Sequence, residues 1–246
     1  MASAVRLSER RNGAARKGQP VPKLHVEQGC FEAGDQLVCG IDEVGRGAWA
    51  GPVSVGAVVI GPAPKRIQKV RDSKVLTLEQ REALYPKILG WALAAAVGHA
   101  SHAECDEFGM TAALRLAAER ALAGLAAAGC VPDRIILDGN HDYLARPDHV
   151  RTVIDGDALC LSVAAASIVA KVTRDRLMAA EADCYPGFDF DSNRGYPSPR
   201  HRCALLGYGP TAIHRRSWIY MDNLPWAQPA PALTLFPLGG QPQSPG

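Results

Sequence analysis

The stretch Val38-Cys39-Gly40-Ile41-Asp42-Glu43-Val44-Gly45-Arg46-Gly47-Ala48-Trp49-Ala50-Gly51-Pro52-Val53 decides how this chain folds. A short apolar run brings two adjacent carboxylates to a Gly-Arg-Gly turn, and a second apolar run extends to Ile60. The pattern predicts a β-hairpin with an acidic site at its turn. Rigidly held carboxylates suit metal-dependent catalysis, and glycines let the backbone approach a phosphate because they carry no Cβ.

Composition limits the class of protein. With 246 residues, 47% of them hydrophobic, the chain can form one sizeable core with appendages. It contains no apolar run of about 18 residues and no apolar segment behind its basic N-terminus, so we expect neither a membrane span nor a secretory signal, and a cytoplasmic location. The 7 cysteines are scattered singly, which predicts reduced thiols and not a disulfide framework or a zinc site.

The net charge of +2 is unevenly distributed. Residues 1–23 hold six basic residues and one acidic residue, so the basic tail is separable from a mildly acidic body. A second basic stretch, residues 192–221, has no acidic residue and contains Arg194, Arg200, His201, Arg202, His214, Arg215 and Arg216. Such a cluster can contact phosphates or form a solvated charged face, and the sequence leaves both interpretations open.

Four regions follow from the pattern along the chain. We predict a disordered basic tail over residues 1–35, an α/β core over 36–184, a small loop-rich helical appendage over 185–223 and a disordered proline-rich tail over 224–246. Within the core, strands come first and then alternate with helices, which predicts a mixed sheet.

Local signals predict the elements of the core. A capping box, Thr77 to Gln80, opens a helix whose first part Pro86 limits. Further helices are expected over 106–128 and 161–182, and strands over 135–137 and 150–154. Residues 92–100 fit either a helix or a strand.

Four acids lie where predicted elements end: Asp42, Glu43, Asp138 and Asp157. Crowded carboxylates repel each other and need a cation, and an oxygen-only ligand set suits Mg²⁺ or Mn²⁺. Two such ions can catalyse phosphodiester hydrolysis. Asp157 could instead cap a turn or helix, and Glu43 can reach the face of Asp42 only if the strand ends or bulges there.

A dinucleotide site is the first alternative, because Gly45, Gly47 and Gly51 form a G-x-G-x-x-x-G pattern after a strand. That fingerprint requires a helix N-terminus next, to receive the pyrophosphate. Here Pro52 leads into a strand-like run, and the two preceding carboxylates would repel a pyrophosphate. The sequence therefore disfavours a nicotinamide enzyme.

Six ordered blocks across about residues 37–218 carry a specific resemblance: GIDEVGRGAWAGPV, RDSKVLT, IILDGN, GDALCLSVAAASIVAKVTRDRLM, NRGYPSPRH and GPTAIHRRSW. The chain resembles the bacterial type 2 ribonuclease H family, ribonuclease HII. The arginine of the Gly-Arg-Gly turn makes it similar to this type and not to the type 3 enzymes. Departures from the family pattern are Ala48, Val75 and Gly109, and none falls on the four acids.

The resemblance implies a ribonuclease H-like mixed α/β sheet flanked by helices, with a small C-terminal helical appendage. It implies a monomeric endonuclease that hydrolyses the RNA strand of RNA/DNA hybrids and incises 5′ of single ribonucleotides embedded in duplex DNA, leaving 3′-hydroxyl and 5′-phosphate ends. Two Mg²⁺ or Mn²⁺ ions would be held by the family's acids, which match Asp42, Glu43, Asp138 and Asp157; Asp155 is not the matching residue.

The same resemblance implies a substrate-binding set. Gly45, Arg46, Gly47 and Tyr196 would recognise the ribose 2′-hydroxyl, the group that distinguishes RNA from DNA. Arg46 would also contact phosphates with Ser73 and Lys74, whereas Lys171 could face the site or only pair along its helix. An alternative of another class is a non-catalytic hybrid-binding module that uses the basic segments alone; it predicts binding without metal-dependent nicking.

Overall fold

The computed structural model describes residues 21–224. Its centre is a five-stranded sheet in the order β3-β2-β1-β4-β5, with strands Val38–Val44 (β1), Val53–Ile60 (β2), Ala94–Ala100 (β3), Arg134–Asp138 (β4) and Val150–Val153 (β5). The hairpin partner β2 is antiparallel to β1 and β3, whereas β4 is parallel to β1 and β5. The predicted hairpin and mixed sheet are therefore confirmed.

Helices cover both faces of this sheet. In the described region they are His25–Glu32 (α1), Leu78–Trp91 (α2), His102–Phe108 (α3), Met110–Ala127 (α4), Gly156–Leu159 (α5), Leu161–Cys184 (α6), Phe190–Asn193 (α7) and Pro199–Tyr208 (α8), with 3₁₀ turns at Ser73–Val75 and Met221–Asn223. Helix α4 lies against β2 and β3, and α6 lies on the opposite face against β1 and β2. No helix in residues 21–224 is both long and apolar enough to cross a membrane.

Glycines in the strands allow the helices to approach the sheet closely. A Cβ on Gly40 of β1 would lie 2.2 Å from the carbonyl carbon of Ser162 in α6. On the other face, a Cβ on Gly98 of β3 would lie 2.0 Å from the carbonyl oxygen of Ala117 in α4. Contacts this short exclude any side chain at these positions, so the two glycines determine how closely α6 and α4 pack on the sheet.

Several element boundaries differ from the sequence prediction. The helix expected over 106–128 is replaced by two helices. Gly109 has a φ of 78°, which is not helical, and this interrupts the helix between Phe108 and Met110. The ambiguous segment 92–100 forms strand β3. Pro86 does not end α2, whose buried Leu84 and Ile88 flank the proline and pack in the cluster formed with α6. The capping box at Thr77 is present.

The disorder predicted for residues 1–35 is wrong over α1. Val26 and Cys30 of this helix pack with Val38 in one apolar cluster. The carboxylate of Glu27 is buried and accepts hydrogen bonds of 2.8 Å from both the backbone N–H and the hydroxyl of Ser162, in the first turn of α6. Helix α1 is thus ordered because it closes the N-terminus of the longest helix in the described region. The predictions for residues 1–20 and 225–246 lie outside the described residues.

Candidate active site

The acids of β1 and β4 meet where the parallel pairing of these two strands ends. Ile41 pairs with Leu137, so the following residues, Asp42 and Asp138, lie side by side on neighbouring strands. Asp157 follows β5 in the short helix α5. The N–H of Gly156 donates a 2.7 Å hydrogen bond to Oδ1 of Asp138, which ties this helix to the end of β4. Three separate segments therefore bring three predicted acids to one edge of the sheet.

These carboxylates share a poorly solvated environment. Burial raises the pKa of Asp42 well above its usual value, and the negative charge of Glu43 raises it further. Burial, followed by the charge of Asp157, raises the pKa of Asp138. Burial also raises the pKa of Asp157, with Asp72 as the main charged contributor. Each carboxylate would be stabilised in its ionised form by a nearby cation.

Glu43 lies in a regular strand. It pairs with Val55 of β2 between the pairs Asp42–Gly56 and Val44–Ser54, so β1 neither ends nor bulges at this residue. Burial raises the pKa of Glu43, the Arg46 guanidinium opposes that shift, and Asp138 adds to it. The ion pair joins Nη1 of Arg46 to Oε1 of Glu43 at 3.7 Å. Glu43 thus lies within the electrostatic influence of the other acids although no bulge turns it toward Asp42.

Lys74 supplies positive charge at this edge. Its Nζ lies 3.3 Å from Oδ2 of Asp157 and 3.9 Å from Oδ1 of Asp72, while most of its side chain is exposed. The neighbouring Ser73 is buried, and its hydroxyl is 2.8 Å from the hydroxyl of Ser167 in α6. Ser167 in turn hydrogen-bonds to Asp42. The hydroxyl of Ser73 therefore supports the acid from inside the protein.

The donor set suits a hard divalent cation. All four side chains offer carboxylate oxygens, and burial, with repulsion from neighbouring carboxylates, raises the pKa of each. Across residues 21–224, no group of three or more His, Cys, Asp or Glu side chains is arranged to hold a metal ion as the structure stands.

The turn after β1 lies beside Tyr196. Gly45 has a φ of 87°, and its N–H donates a 2.9 Å hydrogen bond to the phenol oxygen of Tyr196. Since the phenol accepts this bond, its own proton is left to donate elsewhere. Arg46 and Gly47 are exposed. The turn and the tyrosine thus form one surface next to the acids.

Two arginines without any exposed surface hold this turn from beneath. The guanidinium of Arg215 donates to the carbonyl oxygens of Gly45 (2.7 Å), Arg46 (3.0 Å) and Gly51 (3.1 and 3.2 Å). Arg174 of α6 donates to the carbonyl oxygens of Ala50, Pro52 and Arg194. Both side chains satisfy backbone groups that would otherwise be buried without partners.

Known proteins share this combination of fold and sequence. A family model described as Ribonuclease HII matches residues 39–221. The chain belongs to the ribonuclease HII family. Its members are nucleases of the ribonuclease H class, so the protein is a hydrolase, and the ribonuclease H-like fold implied by the resemblance is confirmed.

Relatives and solved structures cover most of the chain. The ribonuclease HII of Streptomyces griseus is 54% identical over 83% of this chain and 87% of the relative. The ribonuclease H2 of Pyrococcus horikoshii, solved by crystallography, superposes with a TM-score of 0.62 at 31% identity, covering 76% of this chain and 96% of that one. Bst-RNase HIII, crystallised in complex with Mn²⁺, superposes over 63% of this chain and 56% of its own, with a TM-score of 0.51 and 26% identity.

Sequence reasoning missed several residues that support this ribonuclease HII site. The basic stretch 192–221 was open to a phosphate-binding or a solvated interpretation, but its members His201, His214 and Arg215 have no exposed surface. Clustered charges alone do not show which members turn inward. For Lys171, the sequence left open whether it faces the site or only pairs along its helix. It forms an ion pair with the buried carboxylate of Asp175, one turn further along α6, and its contact with substrate stays a prediction.

The two glycines of the turn should respond differently to alanine. A Cβ on Gly45 would lie 2.2 Å from Nε of Arg174, at a φ that L side chains rarely adopt, whereas the nearest atom to a Cβ on Gly47 would be Cε1 of Tyr196 at 3.9 Å. We expect Gly45→Ala to lower the free energy of unfolding by about 2–4 kcal/mol, and Gly47→Ala to change it by less than about 1 kcal/mol. Urea unfolding of both variants measures the difference. Equal destabilisation would contradict the geometry described for the turn.

Proposed function

We propose that the protein hydrolyses the RNA strand of RNA/DNA hybrids and incises 5′ of single ribonucleotides embedded in duplex DNA, leaving 3′-hydroxyl and 5′-phosphate ends. The observation that carries this proposal is the position of the Gly45-Arg46-Gly47 turn and Tyr196 next to the acids of β1 and β4. Recognition of a ribose and cleavage beside it then take place on one surface. The family membership supports the same reaction class.

Asp42, Glu43, Asp138 and Asp157 are the residues that would hold two Mg²⁺ or Mn²⁺ ions. Bound there, the ions would supply Lewis acidity, which lowers the pKa of a water molecule and offsets the charge that develops on the leaving oxygen. The carboxylates lie in the last residues of β1, at the end of β4 and in the short helix α5, which are anchored to the core, as pre-organised catalysis requires. The crystallised Mn²⁺ complex of the type HIII relative is consistent with this assignment.

The surface around the acids provides the remaining contacts. Gly47 is exposed without a side chain, so its backbone can approach a ribose closely, and the phenol proton of Tyr196 is available to a substrate oxygen. Arg46 and Lys74 keep about two-thirds of their side chains exposed, 66% and 70%, and can contact phosphates on either side of the acids. We assign Ser73 and Lys171 supporting roles in the same substrate-binding set. The protein would act as a monomer in the cytoplasm.

One assay tests the function. A labelled DNA duplex containing a single ribonucleotide is incubated with the protein, with and without Mg²⁺ or Mn²⁺, and the products are resolved on a denaturing gel. We expect a single cut 5′ of the ribonucleotide that depends on the metal and is absent from an all-DNA duplex. Binding without any metal-dependent cut would favour the non-catalytic hybrid-binding module instead.

A further inference from the structure

Two histidines of the C-terminal appendage form a buried pair behind Tyr196. His201 of α8 and His214 have no exposed surface, and their Nε2 atoms are 2.8 Å apart. Nδ1 of His201 lies 2.9 Å from the carbonyl oxygen of Tyr196. Nδ1 of His214 receives the backbone N–H of Thr211 at 2.9 Å and also lies 2.8 Å from the hydroxyl oxygen of that residue, which can donate to it as well. All four ring nitrogens thus have a partner.

The partners at the two ends fix where the protons lie. A backbone N–H can only donate, so Nδ1 of His214 is an acceptor without a proton, and a neutral ring then carries its proton on Nε2. A carbonyl oxygen can only accept, so Nδ1 of His201 carries the proton and its Nε2 is free to accept. The hydrogen bonds therefore run in one direction, from Thr211 through His214 and His201 to Tyr196.

The pair is stable only when both rings are neutral. A second proton on His201 would place two N–H groups against each other across the 2.8 Å contact, and a second proton on His214 would place an N–H against the backbone N–H of Thr211. The rings are packed among Trp49, Phe188 and Phe190, which exclude water. Burial lowers the pKa of His214 to about 3, with His201, Arg216 and His102 adding to the shift, and burial also lowers the pKa of His201. The arrangement therefore persists at neutral pH.

The other bonds of this region leave Tyr196 little freedom. Its N–H donates to the carbonyl oxygen of Asn193, and the carbonyl oxygen of Gly195 accepts from the N–H of Trp49 at 2.8 Å. His214 belongs to a short segment that pairs with the loop after Gly45. The N–H of Gly51 donates to the carbonyl oxygen of Ile213 (2.9 Å), and the N–H of Arg215 donates to the carbonyl oxygen of Trp49 (2.8 Å). The histidine pair thus connects the backbone of Tyr196 to the loop that follows Gly45.

We propose that His201 and His214 are positioning residues, whose directed hydrogen bonds hold the carbonyl of Tyr196 so that its phenol meets the N–H of Gly45 and faces the ribose. This inference rests on the proposed function for the role of Tyr196. Neither histidine contacts the acids in the structure, and their contribution is to substrate selection and not to bond cleavage itself. Their loss would move the phenol relative to the turn.

Two amide substitutions of His201 separate its two bonds. In His201→Asn the side-chain amide can still donate to the Tyr196 carbonyl from the position of Nδ1, whereas in His201→Gln the amide reaches the position of Nε2 and keeps only the contact with His214. We expect His201→Gln to lower the ratio of single-ribonucleotide incision to long-hybrid cleavage by about tenfold or more, and His201→Asn to keep it within about threefold. Tyr196→Phe serves as the reference for complete loss of the phenol hydroxyl.

An independent readout is the backbone amide of Gly45 in ¹⁵N–¹H spectra. Its resonance and its protection from hydrogen exchange should change in His201→Gln and Tyr196→Phe and remain close to wild type in His201→Asn. Unchanged Gly45 signals and an unchanged substrate ratio in a folded His201→Gln protein would overturn the proposal. If wild-type protein cuts neither substrate, the proposed function fails, whereas the Gly45 amide still tests the positioning.

A measurement on wild-type protein covers the case in which His201→Gln does not fold. Long-range ¹⁵N–¹H correlation of the imidazole rings reports which nitrogen carries the proton. We expect the Nδ1–H tautomer for His201 and the Nε2–H tautomer for His214 at neutral pH. The opposite tautomers, or a charged ring at that pH, would overturn the inference.

Discussion

Asp138→Asn should reduce metal-dependent cleavage by about 10³-fold or more, because it removes one negative charge from the proposed cation site. The fold should remain, since an asparagine Oδ1 can still accept the hydrogen bond that the N–H of Gly156 donates to Asp138. Loss of one member of a repelling cluster should also leave thermal stability unchanged or raise it. Single-turnover cleavage and a thermal melt measure the two effects, and binding of an RNA/DNA hybrid should be largely retained.

Asp155→Asn is the matched control for this change. Asp155 is exposed, has a φ of 54° that asparagine tolerates, and lies two residues from Asp157. The same acid-to-amide exchange should therefore leave cleavage within about threefold of wild type. Retained turnover of Asp138→Asn in Mg²⁺, or an equal loss in both variants, would refute the assignment of Asp138.

Arg215→Met should destabilise the protein by about 3–6 kcal/mol, since the carbonyl oxygens of Gly45, Arg46 and Gly51 would lose a charged donor while staying buried. Methionine has a similar length and keeps most of the packing against Trp218, so the effect isolates the lost hydrogen bonds. Chemical unfolding with Arg216→Met as the control tests this. Arg216 is the exposed neighbour, and its replacement should cost less than about 0.5 kcal/mol. A small effect at Arg215 would mean that the turn is held mainly by Arg174.

Local sequence patterns predicted the elements of the core well where a single local signal, such as an apolar run or a capping box, determines the structure. The apolar runs on either side of the Gly-Arg-Gly turn and the capping box at Thr77 both correspond to observed structure. Predictions failed where tertiary contacts decide: α1 is ordered by its contact with Ser162, 135 residues away, and Pro86 is tolerated inside α2 because the flanking residues pack against α6. A short stretch of sequence does not show such contacts, because the partner residues lie far away along the chain.

The candidate site divides in the same way. Its acids could be predicted because charged residues at the ends of apolar strands have no packing role there. The supporting residues could not, since Arg174, Arg215 and the two histidines resemble surface residues in sequence and become buried only when two distant segments meet. Glu43 is intermediate: β1 pairs regularly through this residue, so no bulge turns it toward Asp42, and it is linked to the other acids through the charge of Asp138.

The contacts of Arg215 and Tyr196 with the Gly45–Pro52 loop can form only late in the synthesis of the chain. A ribosome adds about 5–20 residues per second from the N-terminus, so the sheet and all four acids emerge before residues 195–215 exist. The bonds from Arg215 span 164 to 170 positions of the chain, and the bond between Gly45 and Tyr196 spans 151. A nascent chain therefore carries its charged centre for some time before the loop proposed to recognise the ribose is held in shape. The proposed ribose-recognition surface is therefore the last part of the site to form in the growing polypeptide.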